Sequence, residues 1–598
     1  MKSIYVGLIL LIAGRAFADS ATLGANGIDS EATGLDGTGI LIGQAETGRS
    51  GKDGYDDGAH SASGTTPTGV YFRTSGGMDS ANSSNITDHA TGVAGIMIGD
   101  QGAFKGIAPN AVLHSAALGG NADDVDIALT LNRLATLSSG NVRAININSL
   151  RPLQGLEEPN GNAHFTQFVD WSTRVHDVLY VIAWGNSGEI DEPRAPVDNY
   201  NGITVAASAR AENESKWRMF GFINSSEGLD HSSTENVDIL APGEGIRLLL
   251  QGDNELTDDG TSYAAPHVTA SVALLQQYSL QQIQAGNPRF NVASQRHEVM
   301  KAALMNAADK VEDIHGATRT VCDSNVLPCF DWRQTEAFSD PTIPLSGNLG
   351  AGHLNVRRAV QQLASGEYNP ADMIPSIGWD FGTLGGIGSS LEYTFAQQAG
   401  GYIAVTLAWD RRIESTGGTT YNAGDQFFNS GLANLDLRLV TADGMTVVAE
   451  SRSVDMNLEH IFYNVESAGN YKIVVVHSPG DIGVVGATTA YGLAWWFGSG
   501  GSVPGDYNKN GSVGPEDYDV WKSNFGTTFA DADGNGNGTV DAGDYTVWRD
   551  NLGVGAGSGS FAAVPEPASI CLLAASLLLF QRRGRVRPGH VRCTAVKA

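Results

Sequence analysis

Positive charge is scarce in this chain. Its 598 residues carry 37 Lys and Arg against 65 Asp and Glu, a formal net charge of −28. Nucleic-acid binding relies on clustered Lys and Arg that displace counterions from phosphates, so nucleic acid is not an expected partner. Acidity of this kind serves solubility first, and calcium binding is a second use of it. Cysteine is scarce too, with four residues. Cys322 and Cys329 lie close together in a loop-like stretch and are either one local disulfide in an oxidising compartment or two unrelated thiols. Cys571 and Cys593 fall in the terminal segment and need no role. Long apolar runs are missing as well: residues 4–13 and 568–580 both fall short of the ~20 residues that a stable membrane span needs. Apolar residues still make up 41% of the chain, enough for globular cores. The length exceeds what one core covers, so several domains are expected.

The N-terminus follows the order of a secretory signal, with Lys2, the apolar run 4–13 and the small-residue site Ala16-Phe17-Ala18, so residues 1–18 are expected to direct export. Beyond them, Gly39 to Ala45 is a short apolar run of the kind that forms a buried parallel strand, and it ends in Glu46. In open α/β sheets functional groups gather at the carboxyl ends of strands; alternatively Glu46 is a solvated turn residue. His89 precedes a helical stretch whose small residues Ala90, Gly92, Ala94 and Gly95 allow close packing. Further strands are expected at Ala111–Ser115, Val142–Leu150, Val178–Ala183, Ile203–Ala207 and Val237–Gly243. Asn186 lies in a glycine-flanked turn at the end of one of them, placed either to shape the turn or to aim an amide N–H at an oxyanion. Strands alternating with helical segments indicate an α/β fold with a mostly parallel sheet covered on both faces. The run Asp259-Gly260-Thr261-Ser262-Tyr263-Ala264-Ala265-Pro266-His267 then opens a helix, setting the Ser262 hydroxyl where unpaired N–H groups and the helix dipole favour developing negative charge.

D-H-A-T-G-V-A-G at His89, A-W-G-N-S-G at Asn186 and D-G-T-S-Y-A-A-P-H at Ser262 together resemble the subtilases, the subtilisin-like serine peptidases. Gly350-Ala351-Gly352-His353-Leu354-Asn355 resembles that family's closing turn. The order acid, histidine, serine is the subtilisin order. The resemblance spans residues 36–365 and implies roles: Ser262 as nucleophile, His89 as base, Glu46 as orienting acid, and Asn186 with the Ser262 N–H as oxyanion donors. It implies peptide-bond hydrolysis through an acyl-enzyme, protein or peptide substrates and no catalytic cofactor. The chain departs from the family in three ways. Glu46 replaces the usual Asp, with Asp88 as an alternative acid. The segments beside the specificity pocket read Ser149-Leu150-Arg151 and Ala183-Trp184-Gly185-Asn186, so Ser149, Leu150, Arg151, Trp184 and Gly185 are expected to line an altered substrate site. Between Ala18 and the first strand no folding propeptide is expected. The rival to a peptidase is a subtilase-fold protein that binds peptides or acts as a scaffold.

From 374 to 497 the pattern changes to short strands, among them Leu391–Phe395, Ile403–Leu407, Leu435–Leu439 and Tyr471–Val476. Gly and Asn turns separate them, which indicates an all-β sandwich or jelly roll like that appended to some subtilases. A linker, 498–504, leads to a repeat of period 27 over 505–553. Asp506, Asn508, Asn510 and Asp517 recur as Asp533, Asn535, Asn537 and Asp544, in the oxygen-ligand positions of a calcium loop, each loop feeding a short helix with Val and Trp. The pair resembles a type I dockerin, which implies structural Ca2+ and a cohesin-like partner. After a second linker, 554–563, residues 564–598 hold Val564-Pro565-Glu566-Pro567, the apolar run and Arg582, Arg583, Arg585 and Arg587. They resemble a PEP-CTERM sorting signal, implying exosortase processing at a bacterial envelope and membrane retention.

Overall fold

The computed structural model describes residues 28–552 apart from 29, 53–59, 75–76, 80–84, 119–121, 139, 149–150, 153–159, 187–193, 211–215, 220–236, 311–319, 323–331, 371–372, 499–504, 509–512, 528, 530–531 and 536–538. The expected export signal, the terminal sorting segment, Cys329, Asn510 and Asn537 lie outside the described residues. Among the described residues no helix is long and apolar enough to cross a membrane.

Seven strands form the parallel body of a ten-stranded sheet: β1 (Leu41–Glu46), β2 (Gly69–Thr74), β3 (Val112–Ala117), β4 (Val142–Ile147), β5 (Leu179–Ala183), β6 (Ile203–Arg210) and β7 (Ile239–Pro242). Their spatial order is β6-β5-β4-β1-β3-β2, with β7 also paired to β6, and every one of these neighbours runs parallel. Antiparallel pairing enters only at the margins, where Gly77–Asp79 adds to β2 and Lys216–Met219 to β6. The central strands are buried on both faces, which explains why they read as apolar runs rather than as alternating patterns. Helices α1 (Asp88–Ile98) and α4 (Thr261–Gln284) pack with β5, β6 and β7 into one core, while α2 (Asp124–Ala135) and α3 (His164–His176) share a second core with the other face of the sheet. The small residues of α1 do what their sequence implied: Ala90, Val93, Ala94 and Met97 have no exposed surface. A Cβ on Gly92 would stand 3.2 Å from Leu250 and 3.3 Å from Leu248.

The C-terminal half contains two four-stranded antiparallel sheets. One runs Ile377–Leu384, Thr489–Gly498, Tyr402–Trp409, Leu458–Asn464, and the other Ser390–Gln397, Gly469–His477, Leu435–Thr441, Val447–Ser451. Their facing side chains, among them Tyr393, Phe395, Val405, Leu437, Val475 and Trp495, make a single core. The outer face of the first sheet lies on α5 (His297–Asn306), so Ala408, Ala494 and Trp379 join the core that holds α4. The backbones nearly touch there: a Cβ on Gly492 would sit 2.4 Å from the Glu298 carbonyl group.

The loop between Trp409 and Arg412 anchors this contact. Arg411 is buried and donates to the Gly161 carbonyl at 2.8 Å and to Asn162 Oδ1 at 2.7 Å, with Asp170 at 3.5 Å and the Tyr200 ring 4.4 Å beneath it. Asp410 accepts from His297 Nε2 at 3.0 Å, while His297 Nδ1 meets Asp177 at 2.8 Å. Glu298 lies 3.3 Å from the same ring, and Arg296 and Arg143 pair with these acids. Asp177, His297 and Glu298 have the spacing of a metal-binding trio. The two guanidinium groups around them fit an ion-paired imidazolium better than a cation site.

In the repeat, helices Pro515–Asn524 and Ala542–Asn551 face one another through Tyr518, Trp521, Tyr545 and Trp548. Trp521 Nε1 donates to the Asp541 carbonyl at 2.8 Å and Trp548 Nε1 to the Gly514 carbonyl at 2.7 Å. The period of 27 therefore appears as two halves that exchange equivalent bonds.

Candidate active site

β1 ends on Glu46, and this last residue turns a nearly buried carboxylate toward the N-terminus of α1. Its Oε2 lies 2.7 Å from His89 Nδ1. Its Oε1 accepts from Gln44 Nε2 at 2.9 Å and from Asn148 Nδ2 at 3.0 Å. Glu46 is only 4% exposed at its side chain and His89 42%, so the acid is enclosed while the imidazole opens to the outside. With Nδ1–H directed at a carboxylate, Nε2 is the ring nitrogen left to take up a proton. Burial works against the protonated ring, but the charge and hydrogen bond of Glu46, together with the charge of Asp258, hold the His89 pKa above the ordinary imidazole value. Asp88, the alternative acid, is engaged elsewhere: its Oδ1 accepts from the Gln251 backbone and side chain at 3.2 and 2.9 Å.

Ser262 is the second residue of α4, and its N–H is among the four that a helix leaves without an intrahelical acceptor. The next residue, Tyr263, lies with its ring 5.4 Å from that of His89 and donates its hydroxyl to Asp258 at 2.8 Å. Among the described residues Ser262 Oγ makes no hydrogen bond. In unliganded sites such a contact commonly tightens only when substrate is bound. Asn186 is exposed, and its Oδ1 accepts from both the backbone N–H and the hydroxyl of Thr261, at 2.9 and 2.8 Å. Those two donors fix the amide orientation, so the NH2 end turns the other way, with its nitrogen 3.3 Å from where a Cβ on Gly260 would stand. A serine hydroxyl, an imidazole with a free nitrogen, a braced acid and two free N–H donors are the parts an acyl transfer needs.

The substrate residues are placed unevenly. Ser149 and Leu150 lie outside the described residues, and of Arg151 only the backbone is described, bridged to Ala195. Trp184 is half-buried against two apolar clusters, one built on α3 and one around Trp332. The Gly185 N–H is taken by Thr261 Oγ1 at 3.0 Å. Gln44 and Asn148 were not marked by any motif. A faint signal existed for each: Gln44 is a polar residue inside an apolar strand, on the same face as Glu46, and Asn148 sits just past the end of the neighbouring strand.

In the repeat, Asp506, Asp517 and Asp544 are buried. Asp517 accepts from the backbone of Asn508 and Gly514 at 2.8 and 2.7 Å, and Asp544 from that of Asn535 and Asp541 at 3.0 and 2.7 Å. Burial, with the charges of Asp506 and Glu516, pushes the Asp517 carboxyl up to about 8 despite those bonds. Packed acids drawn together by one loop fit a divalent cation in their chemistry.

Residues 37–322 match the Subtilase family, a stretch that contains Glu46, His89, Asn148, Asn186 and Ser262. Over 198 residues the chain is 27% identical to alkaline elastase YaB of Bacillus sp. (strain YaB), covering 32% of this chain and 47% of the elastase. Over 191 residues it is 26% identical to subtilisin Savinase of Lederbergia lenta, covering 32% of this chain and 63% of Savinase. The chain thus spans less than two thirds of either relative. The solved structure of MycP1 with its N-terminal propeptide removed overlaps 57% of this chain and 96% of its own, at 15% identity and a TM-score of 0.39. Residues 37–322 are thus similar to a subtilase domain, with subtilisin relatives at low identity.

Proposed function

We propose that this chain is a serine-type endopeptidase in which Ser262 is the nucleophile, His89 the general base and acid, Glu46 the orienting acid and Asn186 an oxyanion donor. The observation that carries the reading is the 2.7 Å contact of Glu46 with His89 Nδ1, which leaves Nε2 free beside the start of the helix that bears Ser262. Ser262 Oγ attacks the scissile carbonyl as its proton passes to His89 Nε2, and Glu46 stabilises the imidazolium that forms. The carbonyl oxygen, now an anion, is held by the Ser262 N–H and Asn186 Nδ2. His89 returns the proton to the departing amine, and water then releases the acyl group by the same steps in reverse. An oxyanion donor of this kind is worth about 100- to 1,000-fold in kcat, a value taken from subtilisin itself.

A fluorophosphonate probe tests the assignment: wild type should be labelled and Ser262→Ala should not. A folded wild type that resists the probe and leaves peptide substrates intact would instead support a peptide-binding or scaffold protein. Arg151 and Trp184 are proposed to shift side-chain preference away from the broad apolar one common in the family. Profiling wild type and Arg151→Gly on a peptide library should give different preferences, and identical profiles would sink that idea.

Export, sorting to a bacterial envelope with exosortase-type processing, and docking of the repeat to a cohesin-like partner complete the proposed reading. Asp506, Asn508 and Asp517, and their counterparts Asp533, Asn535 and Asp544, would hold structural calcium, together with Asn510 and Asn537. Calorimetry with calcium should show heat in wild type and less in Asp506→Ala and Asp533→Ala.

A further inference from the structure

We infer that Asn148 is a positioning residue for the reaction proposed above, its one amide group fixing the acid and the nucleophile relative to each other. The inference rests on that peptidase reading and begins with Pro266. In an α-helix the carbonyl of Ser262 would accept from the N–H of the residue four positions on, which here is Pro266 and has none. The nucleophile's own carbonyl is therefore left without its helical partner in the first turn of α4. Asn148 Nδ2 supplies the missing donor at 3.1 Å. Its second N–H goes to Glu46 Oε1 at 3.0 Å. Both acceptors are oxygens without hydrogens, so only the amide nitrogen can serve them and the orientation is determined.

The placement follows from the sheet. Ala45 of β1 stands opposite Ile147 of β4, so Asn148 comes level with Glu46, and its N–H reaches the Ala45 carbonyl at 3.4 Å. The base of Asn148 is thus held by strand pairing while its tip reaches the helix. Asn148 Oδ1 is buried and has no partner among the described residues. A buried acceptor left unpaired is a penalty that a smaller apolar residue would avoid, so the site keeps an amide where packing alone would not. With Gln44 on its other side, Glu46 Oε1 is braced from two directions while Oε2 meets His89.

The full-length chain tests this through Asn148→Ala and the milder Asn148→Ser, which keeps one donor. Asn148→Ala should lower kcat about tenfold to a hundredfold, the scale of one hydrogen bond to a charged group, and leave KM within about twofold. Asn148→Ser should recover part of that loss. In a Glu46→Gln background the effect of Asn148→Ala should shrink to about threefold, since most of it passes through Glu46. The NMR titration midpoint of the His89 ring should fall toward the ordinary imidazole value in Asn148→Ala, because a loosened carboxylate supports the imidazolium less. A folded Asn148→Ala protein whose His89 midpoint and kcat match wild type overturns the inference. The titration needs no turnover: if wild type resists fluorophosphonate, the peptidase reading fails, and the His89 midpoint still decides whether Asn148 holds the acid.

Discussion

Glutamate carries one methylene more than aspartate, and position 46 accommodates it because both carboxylate oxygens find donors at that length: Gln44 and Asn148 on one, His89 on the other. Shortening the side chain withdraws the carboxylate by about one C–C bond, ~1.5 Å. Glu46→Asp is therefore expected to lose on the order of 100-fold in kcat/KM, measured on a peptide ester or amide. Glu46→Gln should lose more, on the order of 10,000-fold in kcat, because an amide favours the wrong imidazole tautomer. The raised pKa of His89 sets the pH dependence. In the proposed mechanism the base works only when neutral, so kcat/KM should rise with pH through a midpoint above that of a free imidazole, as read from a pH–rate profile. Ser262, His89 and Asn186 were marked in the sequence because each sits in a contiguous signature, and Glu46 through the subtilase resemblance, since its place at a strand end alone also suited a solvated turn residue. Asn148 and Gln44 were not. Asn148, 102 positions from Glu46, reaches it through strand register, and Gln44, two positions away, through the alternation of side chains along one strand.

At the level of elements, apolar runs announced the parallel strands, but their ends shifted. Ala111–Ser115 was expected as a strand, whereas β3 is Val112–Ala117, since Ala116 and Ala117 pair with Ala45 and Glu46. The helix after Gly260 was legible from its apolar spacing. The three-stranded sheet Arg412–Ser415, Phe427–Leu432, Ile482–Gly483 was not, as its strands are short, partly polar and defined by long-range packing. It covers α3, where Tyr421 and Phe427 pack on Phe168 and Trp171. The loop leading into it carries Arg411. Arg411→Ala leaves the buried Asp170 without its cation and should destabilise the protein by about 3–5 kcal/mol, measured by denaturant unfolding.

On the scale of the whole molecule, the β-sandwich is seated on the α/β core through α5. Burial would lower the His297 pKa, yet the charges of Glu298 and Asp410 and the bond to Asp177 push it up to about 10. A group with a raised folded-state pKa stabilises fully below its unfolded value, near 6.5, and loses that contribution as pH rises through about 10. Thermal unfolding should therefore show a fall in Tm between about pH 6.5 and 10 that His297→Gln largely lacks, the variant being less stable than wild type at neutral pH. The sandwich as a class was visible in its short strands separated by Gly and Asn turns. Its seam with α5 was not, because close contact there depends on single residues such as Gly492.

The exchanged tryptophan bonds tie the two halves of the repeat to each other. Trp521 closes onto Asp541 and Trp548 onto Gly514, so each half supplies part of the other's frame. Neither half is free to drift alone. A change near Gly514 would alter the setting of Trp548 in the other copy, so the pair, not the single 27-residue copy, is the structural unit.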